Sequence, residues 1–101
     1  MYDVVVLYDR PTDPAAFDEH YRQVHVPLVE AMPLVAGFTW GKVEPTDPAG
    51  TYVVARMTYR SAEDAATSLS GPEGQAAVAD LATFAQAGVQ VLNVPRTLTW
   101  P

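Results

Sequence analysis

Both histidines of the chain lie in one predicted helix, within the segment FDEHYRQVHVPLVEAMP at residues 17–33. Imidazole is the side chain whose unperturbed pKa lies nearest neutrality, so a histidine at the rim of an apolar cavity can act as a base. His25 follows Tyr21 by four residues, which makes the two rings neighbours on a helix. We therefore take His25 and Tyr21 as candidate catalytic residues, with Tyr21 holding or sharing the proton that His25 removes.

Pro27 interrupts this helix two residues after His25. Proline has no N–H for the carbonyl of Gln23, and it disfavours helical geometry at Val26. The pattern predicts a kink that frees one carbonyl and opens space beside His25, at a cost on the order of 3 kcal/mol. Two interpretations of His25 stay open on these residues: a base beside a cavity, and a core histidine bonded to the freed backbone.

His20 lies five residues before His25, which is roughly 140° around an α-helix. Its neighbours in the sequence are Asp18, Glu19 and Arg22. The spacing differs from the i,i+4 pair of a helical metal site, and no nearby carboxylate completes one, so no metal ion is predicted. For His20 the pattern favours a solvated helix face.

The secondary-structure elements that position these residues follow from hydrophobic periodicity and from turn residues. Strands are predicted at residues 2–8, 35–43, 51–59 and from 89 onward, where Pro95 interrupts the last; the turn EPTDPAG joins the second and third as a hairpin. Helices are predicted at residues 15–31, 62–69 and from Pro72 to a stop at Gly88. The order β-α-β-β-α-β predicts an α+β, ferredoxin-like fold with an antiparallel sheet and its helices on one face.

Composition narrows the class of protein. The 101 residues match one domain, and the 49% of hydrophobic residues indicate a folded globular protein. The chain has no cysteine, which excludes disulfides and thiolate chemistry, and its net charge of −6 with scattered lysines and arginines argues against nucleic acid. No apolar run approaches a membrane span, and no basic segment precedes the first apolar one, so we expect a cytoplasmic protein.

Both faces of the predicted sheet are largely apolar. In the first strand Val4 and Val6 point one way while Val5 and Leu7 point the other. Two helices can cover only one face, and an uncovered apolar face of several hundred Å² would promote association with other apolar surfaces. The simplest arrangement is a homodimer that buries sheet against sheet. Coverage of the second face by loops is the alternative, but the loops are short.

Several aromatic and polar residues are candidates for a binding site. The aromatic residues could line a pocket or simply belong to the core: Tyr8, Phe38, Trp40, Tyr52, Tyr59 and Phe84. Arg56 and Asn93 are polar residues inside apolar strands, where each could anchor a substrate oxygen or reach a sheet edge or the dimer interface. Because a buried arginine needs a partner, Arg56 is the better candidate for an acidic or enolic ligand.

The chain resembles the EthD family of small dimeric α/β-barrel proteins. The matching segment is VVVLYDRPTDPAAFDEHYRQVHVPLVEAMP, with F-x-x-x-Y followed by Y-x-x-x-H-x-P-L, and a weaker match is SGPEGQAAVADLATFA. One departure is MPLVAGF, where such proteins often have Pro-Gly after the helix. The resemblance implies a pocket between helices and sheet, with His25 as its functional residue, and relatives that include cofactor-free oxygenases, decarboxylases and isomerases.

The leading hypothesis is a cofactor-free enzyme that uses His25 as a base on a small hydrophobic, aromatic or enolisable molecule. The products would arise by oxygenation, decarboxylation or isomerisation. No motif for a nucleotide, flavin or nicotinamide is present in the sequence. The alternative is a non-enzymatic binding or stress-response module on the same scaffold, and haem binding is a weaker third possibility.

Overall fold

The computed structural model describes residues 1–47 and 50–97, and its elements follow the predicted order. Pro48 and Ala49, which belong to the predicted hairpin turn, lie outside the described residues. The strands are β1 (Tyr2–Asp9), β2 (Gly37–Lys42), β3 (Thr51–Tyr59) and β4 (Val89–Pro95). The helices are α1 (Pro14–His20), α2 (Val26–Glu30), α3 (Ala62–Ser70) and α4 (Pro72–Phe84), with a π-helical segment at Tyr21–His25 between α1 and α2.

The four strands form one antiparallel sheet in the order β2-β3-β1-β4. This is the strand order of the ferredoxin-like arrangement, so the predicted fold class is confirmed. In β1, Val4 pairs with Met57 of β3 and Asn93 of β4, while its neighbour Val5 pairs with Arg56 and Leu92. Because directly paired residues share a face, the sheet has an inner face with Val4 and an outer face with Val5.

Capping residues define where the helices begin. The Asp13 carboxylate accepts a hydrogen bond from the N–H of Ala16 at the start of α1, and the Ser61 hydroxyl accepts one from Asp64 at the start of α3. α4 begins at Pro72 and ends at Phe84, earlier than the stop predicted at Gly88. Gly88 instead has a φ of 133° in the turn that leads into β4.

The core lies between the inner face of the sheet and the helices. Its largest fully buried side chains are three tyrosines, Tyr8, Tyr21 and Tyr59. α2 and α4 pack against each other above the sheet, and α3 contacts β1 and β3. Within residues 1–47 and 50–97, the helices are all too short or too polar to cross a bilayer.

Candidate active site between helix α4 and the π-helical turn

The helix that carries both histidines contains a π-helical turn at Tyr21–His25. The N–H of Val26 donates to the carbonyl of Tyr21, an i→i+5 bond, and Pro27 occupies the first turn of α2 directly afterwards. A proline is tolerated at the start of a helix because its N–H would have no partner there. The sequence predicted a kink at this point, and the chain accommodates Pro27 through the π turn that precedes it.

The π turn rotates the apolar stripe of the helix. From Phe17 and Tyr21, regular α-helical spacing predicts a buried Val24, but this side chain is 41% exposed, so the prediction is wrong. Phe17, Tyr21, His25 and Val29 are buried instead. A π turn stacks residues five apart, because its hydrogen bonds run from i to i+5. His20 and His25 therefore point to the same side of the helix, whereas a regular α-helix would separate them by roughly 140°.

His25 is buried, with 4% of its surface exposed, and both of its ring nitrogens have a polar neighbour. Nδ1 lies 3.0 Å from Oδ2 of Asp80 on α4. Nε2 lies 3.3 Å from the hydroxyl of Tyr8 on β1. A carboxylate can only accept, so Nδ1 carries the proton of the neutral ring and Nε2 accepts from Tyr8. The arrangement Tyr8–His25–Asp80 leaves the basic nitrogen on the side of the sheet.

Burial sets the protonation states of this group. Desolvation lowers the pKa of His25 below its usual value, against the opposing effect of the hydrogen bond and charge of Asp80. Desolvation also raises the pKa values of Tyr8 and Tyr21, with a smaller contribution to Tyr8 from the Tyr21 and Asp80 charges. At neutral pH the site thus holds an uncharged imidazole and two uncharged phenols, which is the state that a base and its hydrogen-bond donors require.

Tyr21 lies beside His25, with ring centroids 5.6 Å apart, as the i,i+4 spacing predicted. The hydrogen bond to His25 nevertheless comes from Tyr8 rather than from Tyr21. Among the described residues, the buried Tyr21 hydroxyl has no hydrogen-bond partner. A buried hydroxyl without a partner is costly, and Tyr21 does not belong to the wall of the cavity next to His25.

Asp80 also joins His20 to the site. His20 Nε2 lies 2.8 Å from Oδ1 and 3.0 Å from Oδ2 of Asp80. The Phe84 ring, one turn after Asp80 on α4, stacks on His20 and also contacts His25, at centroid distances of 5.0 and 4.8 Å. The side chain of His20 is 24% exposed. The expectation of a solvated His20 was therefore wrong, because the π turn directs it toward α4.

A cavity of about 240 Å³ lies between the inner face of the sheet and the helices, next to His25. Its wall includes three polar side chains, Tyr8, His25 and Asn93, and the remaining lining side chains are apolar. A second, outer groove of about 490 Å³ is lined by residues of α1, of α4 and of the loops beside them, with His20 in its wall. The two histidines thus face different spaces.

The other predicted binding residues are distributed over both faces of the sheet. Asn93 lines the cavity, as described above. Phe38 and Trp40 lie on the inner side of the edge strand β2, where the Trp40 ring contacts Tyr21 at a centroid distance of 4.8 Å. Arg56 lies on the outer face, 3.6 Å from Asp3, and does not contact the cavity. Arg56 is thus not among the residues that line this cavity, and its position suits the interface alternative.

Sequence reasoning missed Asp80, which lies 55 residues from His25. One signal was present: Asp80 is an acidic residue among Ala77, Val78 and Leu81 on a helix that packs against the core. A carboxylate at such a position requires a partner. In the described part of the chain, no cluster of histidine and acidic side chains has a geometry that could hold a metal ion.

The sequence also matches a known family over most of its length. Residues 9–88 match the EthD domain model. The chain belongs to the EthD family. It is 46% identical over 94 residues to a Rhodococcus erythropolis protein described as an uncharacterized 11.0 kDa protein in the thcB–thcC intergenic region, with 91% of each chain covered. An EthD family crystal structure from Bacillus halodurans superposes with a TM-score of 0.89 at 26% identity, covering 96% of this chain and 99% of the other.

More distant structures share the fold of this EthD protein. A protein of Thermobifida fusca, described as a dimeric ferredoxin-like protein of unknown function, has a TM-score of 0.74 at 14% identity and covers 92% of this chain and 88% of its own. SnoaB of Streptomyces nogalater, described as a cofactor-independent oxygenase, has a TM-score of 0.71 at 13% identity and covers 99% and 95%. At these identities the similarity shows the fold alone.

Proposed function

We propose that this EthD protein is a cofactor-free enzyme in which His25 removes a proton from a small aromatic or enolisable substrate. The observation that carries the proposal is the pair of Tyr8 and His25 at the wall of an apolar cavity, with Asp80 hydrogen-bonded to His25 behind that wall. A neutral imidazole whose Nδ1–H is held by a carboxylate has its basic Nε2 directed at the space beside it. This is the geometry of a general base with an orienting partner.

The chemical step is a proton transfer. His25 Nε2 takes a proton from a carbon next to a carbonyl group, so that the C–H bond breaks and an N–H bond forms. The electron pair of that bond moves toward the carbonyl oxygen, which becomes an enolate. In the resting site the Tyr8 O–H donates to His25 Nε2. The substrate C–H takes its place there, and the released O–H of Tyr8, an uncharged phenol on the cavity wall, then donates a hydrogen bond to the developing negative charge on the carbonyl oxygen.

The cavity supports a small, mostly apolar substrate. Its wall is apolar except for Tyr8, His25 and Asn93, and its volume of about 240 Å³ suits one or two fused rings better than a larger molecule. A proton transfer within an apolar cavity requires a base and an acidic C–H or phenol, and the residues on the wall supply the base. SnoaB, a distant structural neighbour described as a cofactor-independent oxygenase, has the same fold.

The proposed assembly is a homodimer formed through the outer face of the sheet. Leu92 and Val94 of β4 lie on this face and are 37% and 39% exposed. Val5 and Leu7 of β1 continue the apolar surface on the same side. Dimeric proteins with a ferredoxin-like fold occur among the structural neighbours, which supports this assembly.

Exchange of carbon-bound protons for deuterium tests the proposed base without knowledge of the physiological substrate. The probe is 2-tetralone, a bicyclic aromatic ketone, incubated with the protein in D₂O and followed by mass spectrometry. The wild-type protein should accelerate deuterium incorporation next to the carbonyl. His25→Gln should lower the accelerated rate by about 10²- to 10⁴-fold, the usual contribution of a positioned base.

The matched control is Glu19→Gln, an exposed position on the same helix. It should leave the exchange rate unchanged. Melting temperatures of both variants show whether the protein is folded. A folded His25→Gln variant with wild-type exchange would overturn the proposed function.

Ligand binding without chemistry is the second candidate, and the apolar cavity with Tyr8 and Asn93 in its wall favours it as much as it favours catalysis. Calorimetry with 2-tetralone separates the two. An enzyme should bind the ketone and exchange its protons, and His25→Gln should retain binding while losing exchange. A binding module should take up the ketone with no exchange in either protein.

A further inference from the structure

We propose that Asp80 and His20 act as a positioning pair that sets the tautomer and the basicity of His25. The proposal rests on the function proposed above, because it assigns to these two residues the support of the base. Neither residue lines the inner cavity, so each acts through His25 rather than on the substrate.

The carboxylate of Asp80 is held by the two histidines together. Its side chain is only 10% exposed, and its Oδ2 lies 3.0 Å from His25 Nδ1. Oδ1 lies 2.8 Å from His20 Nε2, which is also 3.0 Å from Oδ2. His20 therefore contacts both oxygens of the carboxylate, while His25 donates its Nδ1–H to Oδ2. A carboxylate fixed at two points cannot rotate away from the imidazole that it orients.

The π turn makes this pair possible. Without it, His20 would lie roughly 140° away from His25 and could not share Asp80. π turns are rare and occur frequently at functional sites. Phe84 supports the same geometry, because its ring contacts both imidazoles and lies one turn from Asp80 on α4. The π turn and α4 thus both supply side chains that surround the carboxylate of Asp80.

The pair has two effects on His25. Its carboxylate requires a hydrogen at Nδ1, which leaves Nε2 as the basic nitrogen toward Tyr8 and the cavity. Its negative charge stabilises the imidazolium that forms when Nε2 takes a proton. The ionisable groups that face His25 are Tyr8 from β1, Tyr21 and His20 from its own helix, and Asp80 from α4.

Nitrogen NMR of protein labelled in histidine reads both effects directly and needs no substrate. The wild-type spectrum should show the Nδ1–H tautomer for His25. Asp80→Asn should disturb that tautomer and lower the pKa of His25, because the charge and hydrogen bond that raise it are removed. Glu73→Gln removes the same charge from the first turn of α4 and should leave the His25 signals unchanged.

His20 is tested by a pair of variants that differ in hydrogen bonding. His20→Gln keeps an N–H donor for Asp80, and it should retain the Nδ1–H tautomer and exchange 2-tetralone protons within about threefold of wild type. His20→Leu has no donor, and it should lower the exchange rate about 10-fold. Asp80→Asn should lower that rate by about 10²-fold or more.

The outcomes are distinct for the two proposals. If Asp80→Asn leaves the tautomer and the pKa of His25 unchanged, the positioning pair is overturned. If the wild type exchanges 2-tetralone protons and His20→Leu and His20→Gln exchange them equally fast, the pair is also overturned. If the wild-type protein does not exchange 2-tetralone protons but the NMR changes occur as described, the proposed catalysis fails while the pair stands.

Discussion

The Nδ1 atom of His25 lies 3.0 Å from Oδ2 of Asp80, although 55 residues separate them in the chain. His25 belongs to the π turn after α1, and Asp80 belongs to α4, which packs beside α2 across the sheet. This contact joins the first β-α half of the fold to the second. Any change in how α4 sits against the first helix therefore alters the electrostatic surroundings of the candidate base.

Acid should destabilise the protein through His25. Burial lowers the pKa of this residue in the folded state, so the unfolded chain, with a histidine pKa of about 6.5, binds the proton more strongly. The contribution of His25 to stability is complete above that value and is lost as the pH falls through it toward the lower folded pKa. Urea unfolding of the wild type between pH 7.5 and 5.5 should show this loss, and His25→Asn should show a weaker dependence. Equal slopes in the two proteins would contradict the prediction.

Replacement of Pro27 by alanine should separate stability from function. Alanine restores an N–H and has a higher helix propensity, so the melting temperature should stay the same or rise. The restored N–H also favours regular α-helical hydrogen bonding in place of the π turn, which would draw His20 away from Asp80. We expect slower exchange of 2-tetralone protons as a result. Lower stability with unchanged exchange would show that Pro27 serves packing alone.

Introduction of a charge on the outer face of the sheet should weaken the proposed homodimer. Leu92→Asp places a carboxylate on this apolar face, where a partner sheet would leave it desolvated and unpaired. Light scattering at micromolar concentration should show a dimer for the wild type and a shift toward monomer for the variant. Val24→Asp, on the exposed side of the first helix, is the control and should remain dimeric. A monomeric wild type would refute the assembly.

Gly74→Ala should destabilise the fold although alanine favours helices. A Cβ at this position of α4 would lie 2.6 Å from the Cα and the backbone oxygen of Leu69, and it would also clash with the backbone oxygen of Ser68, at the junction with α3. Backbone atoms cannot move away as a flexible side chain could, and overpacking of this kind costs about 1–3 kcal/mol. Gly41→Ala is the control, since a Cβ there meets no atom within 4 Å. Chemical denaturation of both variants measures the difference, and equal stabilities would count against a rigid α3–α4 junction.

Much of the fold could be predicted from local sequence signals. The bounds of β3 at Thr51–Tyr59 match the β-branched and aromatic run at those residues, and the caps of α1 and α3 coincide with Asp13 and Ser61. These features depend on residues close together in the chain, and the physical rules that govern them are local. The side-by-side placement of Tyr21 and His25 is predictable for the same reason.

The site could be predicted only in part, because its partners come from distant elements. No local pattern shows that Asp80 faces His25, since that depends on how α4 packs. The orientation of His20 depends on the π turn. Pro27 indicates an irregular helix at this point, but it is compatible with a kink as well as with a π turn, so the sequence alone does not predict the turn. The sequence did not predict on which face of the sheet Arg56 lies, because both faces of β3 are apolar. The pairing of Arg56 with Val5 places it on the outer face.

The π turn gives the first helix two different phases. Residues up to His20 follow one helical register, and residues after His25 follow another that is advanced by a single position. Two EthD proteins of equal length can therefore differ in which side of this helix a given position faces, if only one of them contains the turn. Gain or loss of one residue between His20 and His25 would then change the helical register between them. Such a change would bring the two imidazoles to the same side of the helix or move them apart, with both histidines retained.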